Sequence, residues 1–193
     1  MDSFEQVVAE ILWIEGHWVR TSVKLDLTKE EKGRIGRPSS PRWELDIVAY
    51  SGRENLLRVV ECKSYLYSWG VQAQGFDPSS KNATRYKFFN ESKLRKTVFE
   101  RLSLQFSAMG FCRPNPRIQL CLACGKINER GRLTIEKLFK KEGWELWDEA
   151  WLRQRLHAMA ERGYESQTSA VVAKLLLRER LPKRFEPAQH ISQ

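Results

Sequence analysis

Two short runs of apolar and β-branched residues lie close together in the first third of the chain, and they constrain its fold most strongly. The runs Trp43-Glu-Leu-Asp-Ile-Val-Ala-Tyr and Asn55-Leu-Leu-Arg-Val-Val-Glu-Cys-Lys-Ser flank the segment Ser51-Gly-Arg-Glu54. Short β-rich runs on either side of a turn-forming segment are typical of an antiparallel hairpin. We therefore predict two paired strands here, around which the other elements must be arranged.

Apolar spacing predicts a helix and a strand before the hairpin. Ser3 is the candidate N-cap of the first helix, which ends near Gly16, and a strand begins at Trp18. A basic loop, residues 28–41, leads into the hairpin, and a long polar and aromatic loop, residues 64–92, follows it. A loop of that length in a compact domain usually has a function.

The second half of the chain is predicted to be mostly helical. Apolar residues that step by three or four mark a helix ending at Gly110, and an apolar strand follows it. The further predicted elements are this strand at 117–125, a helix at 133–142, a short strand at 144–147, and helices at 148–162 and 167–180, the last closed by Pro182.

The chain length and the absence of long apolar runs limit the class of protein. A chain of 193 residues can bury one good hydrophobic core but is short for two domains. No apolar run approaches the roughly 20 residues of a membrane span, and the N-terminus has no secretion signal. We therefore expect a cytoplasmic protein with no membrane partner.

The formal net charge of +9 is concentrated in two windows. Residues 20–42 hold seven basic and three acidic residues, and residues 81–101 hold seven basic and two acidic residues. Localised positive charge attracts a phosphate backbone, so that a polyanionic partner is one interpretation. A solvated surface is the other interpretation that charge alone leaves open.

The four cysteines are predicted to be reduced structural thiols. Cys121 and Cys124 have the CxxC spacing of a zinc site, but they lie in a segment that is predicted to be a buried strand. Cys is a common small residue of hydrophobic cores, and cytosolic thiols are usually reduced. A thiol-bound metal built on Cys112, Cys121 and Cys124 remains an alternative, for which bound zinc would be the test.

The triplet Glu61-Cys62-Lys63 stands out for its position at the end of an apolar strand. Acid-x-Lys triplets also begin at Glu30 and Glu91, but neither of these follows an apolar run. Residues two apart on a strand share a face, so we expect Glu61 and Lys63 to point the same way. The partner strand should bring Asp46 beside them.

Two carboxylates and one ammonium group beside a core suggest a metal-dependent reaction. Paired carboxylates suit a hard divalent ion such as Mg²⁺ or Mn²⁺, with waters and phosphate oxygens as further ligands. A neighbouring lysine can orient or deprotonate the attacking water and offset negative charge in the transition state. A structural salt bridge between Lys63 and one of the carboxylates is the alternative.

The segments Glu44-Leu-Asp46 and Val59-Val-Glu61-Cys-Lys63 resemble the motif of the PD-(D/E)xK nuclease superfamily, especially its Holliday-junction-resolvase and Mrr-like branch. A first helix that contains an acidic residue and ends at a glycine is also similar to that branch. The proline in the name of the motif is replaced by Leu45, at a position that takes no part in catalysis in that family.

The resemblance implies a role for each motif residue. Asp46 and Glu61 would bind the metal, together with the Cys62 carbonyl group, and Lys63 would be catalytic. Glu5 would support the site, with Glu10 and Glu15 as the fallback candidates for the helix acid.

The resemblance also implies a fold, an α/β restriction-endonuclease-like mixed sheet flanked by helices. Residues 1–125 would form the nuclease core, and residues 126–193 would add a strand and extra C-terminal helices to the same domain. Dimers are common in the family, so a homodimer is expected.

Both basic windows are predicted to flank the site and to contact nucleic acid, with DNA favoured. The candidate phosphate contacts are Arg42, Lys81, Arg85, Lys87 and Lys93. Aromatic residues available for stacking on unpaired bases are Tyr65, Tyr67, Trp69 and Tyr86, although a secondary core is the more common role of such a cluster.

The sequence therefore predicts a Mg²⁺-dependent (endo)deoxyribonuclease. The alternative is a catalytically inactive, nuclease-like subunit that binds nucleic acid or takes part in an assembly.

Overall fold

A five-stranded mixed sheet forms the centre of the computed structural model, which describes residues 2–39 and 42–177. Its strand order is β1-β2-β3-β4-β5; β1–β2 and β2–β3 pair antiparallel, whereas β3–β4 and β4–β5 pair parallel. The predicted hairpin is confirmed as β2 and β3. The strands are β1 (Trp18–Leu25), β2 (Trp43–Ser51), β3 (Leu56–Lys63), β4 (Arg117–Cys124) and β5 (Glu145–Trp147).

Helices connect the strands and extend the chain beyond the sheet. None of those in the described ranges is both long and apolar enough to cross a membrane. They are α1 (Ser3–Ile14), α2 (Lys29–Arg34), α3 (Lys87–Asn90), α4 (Ser92–Ala108), α5 (Arg132–Glu142), α6 (Glu149–Glu161) and α7 (Thr168–Leu177). The end of the predicted 167–180 helix and its closing Pro182 lie outside the described residues.

Each face of the sheet is covered by its own hydrophobic cluster. Buried residues of α3, α4 and α5 pack on one face, around Leu102 and Phe139. Buried residues of α1, α6 and α7 pack on the other, around Ile11 and Leu12. The chain is thus an α/β protein with a mixed sheet flanked by helices, as the sequence predicted.

The first helix begins one residue earlier than predicted. Asp2, not Ser3, is the N-cap: its Oδ1 accepts a hydrogen bond from the Glu5 backbone N–H at 2.8 Å, and the Asp2 N–H donates to Glu5 Oε2 at 3.2 Å. This reciprocal capping box satisfies two N–H groups at the helix start.

The basic segment at 28–41 is not only a loop, because it contains α2. Thr28 and Glu31 form a capping box, and Arg101 of α4 donates to Glu31 Oε1 at 2.7 Å. Arg37 pairs with Glu91, which precedes α4, at 2.8 Å. Part of the positive charge in both windows is therefore used in ion pairs within the protein.

Candidate active site

The register of the hairpin brings the two predicted carboxylates together. Ile47 pairs with Val60, so that the next residues along the two strands are Asp46 and Glu61. Asp46 Oδ2 accepts a hydrogen bond from the Cys62 backbone N–H at 2.8 Å. In a regular antiparallel pair, the Cys62 N–H would donate to a backbone carbonyl of β2, and here the Asp46 side chain takes the place of that carbonyl.

The side-chain alternation of β2 is interrupted at Asp46. Leu45 packs in the hydrophobic cluster on one face of the sheet, whereas Ile47 packs in the cluster on the other face. Residues two apart on a regular strand would share a face. Ser22, opposite Asp46 on β1, has a positive φ of 50°. Irregular strand geometry of this kind is common beside active sites.

Lys63 and Glu61 form a close, largely buried ion pair. Lys63 Nζ donates to Glu61 Oε1 at 2.6 Å, and each side chain keeps only 20% of its surface exposed. Burial raises the pKa of Glu61 above its ordinary value; the charge of Lys63 opposes this rise, and the charge of Asp46 adds to it. The three predicted site residues therefore interact electrostatically.

Asp46 is also partly buried. Burial raises its pKa, although the hydrogen bond from Cys62 and the charge of Lys63 act in the opposite direction. A carboxylate whose net environment disfavours its charge is costly to the fold unless a cation joins it.

Lys63 stays protonated at neutral pH. Burial alone would lower the pKa of its ammonium group, but the charge and hydrogen bond of Glu61 outweigh burial and raise this pKa. A protonated ammonium group can orient a water molecule by donating a hydrogen bond, but it cannot accept a proton from that water.

Of the three acidic candidates of α1, Glu5 is the one that is close enough to Asp46 to be affected by its charge. Burial raises its pKa, and the next largest cause is the nearby charge of Asp46. Glu10 instead accepts a hydrogen bond from the backbone at the start of α7 at 2.8 Å, and Glu15 pairs with an arginine of α6 at 3.0 Å. The two fallback acids therefore tether helices. Asp2, which sequence reasoning missed, adds negative charge beside Asp46.

The oxygen atoms of the site fit a divalent ion that takes two ligands from the carboxylates and the others from water. Asp46 Oδ1 and Glu61 Oε2 accept no hydrogen bond from residues in the described ranges. No three His, Cys, Asp or Glu side chains in those ranges form a ready ligand cluster. Magnesium commonly keeps several waters and takes only one or two carboxylates, so a two-carboxylate site suits it better than a closed cage.

Cys62 has only its carbonyl group available as a metal ligand. Its N–H is bonded to Asp46, and its thiol lies in the core, where burial raises the thiol pKa. The CxxC pair is divided between the two faces of the sheet: Cys121 packs with α1 and α6, and Cys124 packs with α4 and α5. One metal ion between these two thiols is therefore excluded by geometry.

Gly125 fixes the end of the strand that carries Lys63, a role that sequence reasoning also missed. Its N–H donates to the Lys63 carbonyl at 3.1 Å, and a Cβ at this position would lie 2.2 Å from the Ser64 carbonyl oxygen. The glycine after an apolar strand was the available signal.

The predicted phosphate contacts differ in whether they already form an ion pair within the protein. Arg42 pairs with Asp26 at 2.6 Å, both largely exposed. The other four candidates form no ion pair with any described residue; three are exposed and Lys87 is half-buried. These four are Lys81, Arg85, Lys87 and Lys93.

The four aromatic candidates for base stacking also differ in the exposure of their side chains. Tyr67 and Trp69 are exposed, and Tyr65 is partly buried against the core. Tyr86 is only 3% exposed and packs on Phe76, with ring centroids 4.7 Å apart. Tyr86 therefore has the alternative role that the sequence left open, because its ring is part of the core and is not available for stacking on a base.

Comparisons of the chain with protein-family models, with curated proteins and with solved structures give no match.

Proposed function

We propose that the chain is a metal-dependent nuclease that hydrolyses phosphodiester bonds in nucleic acid, with DNA as the favoured substrate. The observation that carries the proposal is the meeting of Asp46, Glu61 and Lys63 at one end of the β2–β3 hairpin. Two buried carboxylates with raised pKa values beside a protonated lysine are costly to a fold and suit a cation and a phosphate.

In the proposed reaction, Asp46 and Glu61 would bind Mg²⁺ or Mn²⁺, with the Cys62 carbonyl as a further ligand. The metal ion, when bound, would polarise the phosphate and lower the pKa of the attacking water. Lys63 would donate a hydrogen bond that orients this water and would offset charge in the transition state. Glu5 would position the metal-bound waters from the start of α1.

The order of the elements supports a restriction-endonuclease-like core. In chain order, this core consists of a helix (α1), three antiparallel strands (β1, β2 and β3), a crossover helix (α4) and a parallel strand (β4). The acidic residues lie on the central hairpin, and the helix that precedes it brings a further acid. In this proposal residues 1–125 are the core, to which α5, β5, α6 and α7 are additions.

The unpaired basic residues would bind the nucleic-acid backbone. Each phosphate contact that is lost should reduce the slope of log affinity against log salt by about one. Charge reversal of Arg85 and Lys87 should therefore weaken binding and flatten the slope. Lys141→Glu, on an exposed site at the end of α5, is the matched control. An unchanged slope in the double reversal would mean that those two charges are only solvated.

The Lys63–Glu61 ion pair favours a second candidate, an inactive subunit that keeps a nuclease-like fold. At 2.6 Å and 20% exposure, this contact neutralises both charges without a ligand. Such a subunit would bind nucleic acid without cleaving it.

Cleavage assays distinguish these candidates. Wild type should cleave at least one of supercoiled, linear, branched and single-stranded DNA in Mg²⁺ or Mn²⁺ and none in chelator. Lys63→Ala should be inactive, and Lys141→Ala, the matched control, should keep wild-type activity. Binding by wild type without cleavage of any of these substrates, or of RNA, would favour the inactive subunit and contradict the proposal.

A further inference from the structure

The chain that follows Lys63 folds into a small cleft beside the proposed active site. The cleft has a volume of about 230 Å³. Its side-chain lining is partly aromatic and partly polar: Tyr65, Trp69, Gln72, Asn82, Arg85 and Tyr86. Tyr65 is only two residues beyond Lys63 in the chain, so the cleft begins next to the end of β3.

Three polar side chains of the cleft have no partner among the described residues, whereas the Ser68 hydroxyl is hydrogen-bonded within the loop. Gln72, Asn82 and Arg85 use their backbone groups in the turns of the loop, but their side chains make no hydrogen bond or ion pair with a described residue. Amide and guanidinium groups recognise the edges of nucleobases, because they supply donors and acceptors in a fixed plane. The exposed indole of Trp69 offers a flat face for stacking.

The floor of the cleft is held rigidly by contacts with the segment after β4. The Val71 N–H donates to the Lys126 carbonyl, and the Asn128 N–H donates to the Val71 carbonyl, both at 2.9 Å. Gly70 has a φ of 81°, and a Cβ there would lie 2.8 Å from the Lys126 oxygen. A site that is formed before its ligand arrives loses less entropy on binding.

Backbone strain and close packing are also typical of a preformed binding site. Tyr65 has a positive φ of 41°, which is unfavourable for a residue with a side chain. Gly75 lies so close to the Tyr86 ring that a Cβ would approach it to 2.4 Å. Strained backbone of this kind is common in ligand clamps.

The size of the cleft limits its occupant. At ~30 Å³ for each water molecule, it holds roughly eight waters, which is less than the ~300–1,000 Å³ of a drug-sized ligand pocket. A free phosphate ion would use Arg85 but leave the exposed Trp69 indole and both amides without a role. A single heteroaromatic ring uses all of them.

We propose that this cleft binds one unstacked nucleobase of the substrate next to the bond that is cleaved. The proposal rests on the proposed function, because it identifies the substrate class of the same site. A base inside a regular duplex must be extruded before it can enter such a cleft, which takes unstacking energy. The preferred substrates are therefore single strands, or duplexes with a bulged, mismatched or branched position.

Binding in chelating buffer tests the proposal without requiring cleavage. The probes are a labelled single-stranded oligonucleotide and the perfect duplex of the same sequence, titrated at several salt concentrations. Trp69→Ala should weaken single-strand binding about ten-fold, the loss expected from one stacked base, and should leave duplex binding and the salt slope unchanged. Trp18→Ala is the matched control, since Trp18 is also exposed but lies at the other end of the sheet.

Each outcome supports or overturns the proposal. Single-strand binding that is unchanged in Trp69→Ala, an equal loss for single strand and duplex, or wild type that binds neither probe would overturn it. A selective loss in a protein that cleaves nothing in Mg²⁺ would keep the base cleft and contradict the nuclease. Cleavage by wild type without a selective loss would keep the nuclease and contradict the base cleft.

Discussion

Lys63→Ala tests the chemical role and the structural role of the lysine in one experiment. The substitution removes the ammonium group that donates to Glu61 at 2.6 Å. It leaves the Glu61 carboxylate largely buried and subject to the negative charges of Asp46 and Glu5. We therefore expect a loss of stability as well as a loss of cleavage.

The size of the stability loss follows from the burial of the pair. Breaking a fully buried ion pair costs about 3–5 kcal/mol, and an exposed pair contributes about 0–1 kcal/mol. Because each side chain is 20% exposed, we expect about 2–3 kcal/mol. For a chain of this length, that corresponds to a fall in Tm of about 5–10 °C.

A second substitution separates stability from chemistry. Glu61→Gln removes the charge that Lys63→Ala leaves without a partner, so the double variant should recover much of the lost Tm in chelator. It should remain inactive, because neither the ammonium group nor the full metal site is restored. Thermal melting and cleavage are measured on wild type, both single variants and the double variant.

Two results would refute this reasoning. A Lys63→Ala protein that melts like wild type would show that the ion pair does not stabilise the fold. Cleavage at the wild-type rate in that protein would remove Lys63 from the reaction.

Three further predictions follow from the site. Calorimetry should show Mg²⁺ binding to wild type and none to the Asp46→Asn, Glu61→Gln double variant, because both charged ligands are gone; equal affinity would exclude the carboxylates as ligands. In chelator, Asp46→Asn should melt above wild type by a margin that grows as pH rises above about 4. The raised pKa of Asp46 makes the native state prefer the protonated carboxyl group, and the stability that this group contributes is lost as it ionises. A margin that is independent of pH would contradict this. Gly125→Ala should destabilise the fold by about 1–3 kcal/mol through its clash with Ser64, whereas Gly33→Ala, with open space around it, should not; equal melting of the two variants would show that the strand end adapts.

Local sequence patterns were sufficient to predict the hairpin and the proximity of Asp46, Glu61 and Lys63. Apolar runs, a turn segment and the two-residue period of a strand predict that Glu61 and Lys63 share a face and that Asp46 lies opposite. Both relationships depend on residues close in the chain, and the structure has them.

Features that depend on distant contacts could not be predicted in this way. Arg37 and Glu91 form an ion pair across 54 positions of the chain, and no local pattern reveals it. The burial of Tyr86 depends on its packing with Phe76. The short helix α2 is a different case, because Thr28 and Glu31 carry the capping-box signal, which the glycines and proline of that segment outweighed.

The register of the hairpin has a consequence for the order of folding. Ser51 pairs with Leu56 beside the turn, whereas Asp46 and Glu61 lie at the far end, where the strands last meet. Closing a short loop loses less entropy than closing a long one, so pairing should spread from the turn and reach the carboxylates late. Their mutual repulsion would then arise after the folding barrier has been crossed, and neutralising Asp46 should slow unfolding while leaving the folding rate almost unchanged. The charge cluster would thus shorten the lifetime of the native state without slowing its formation.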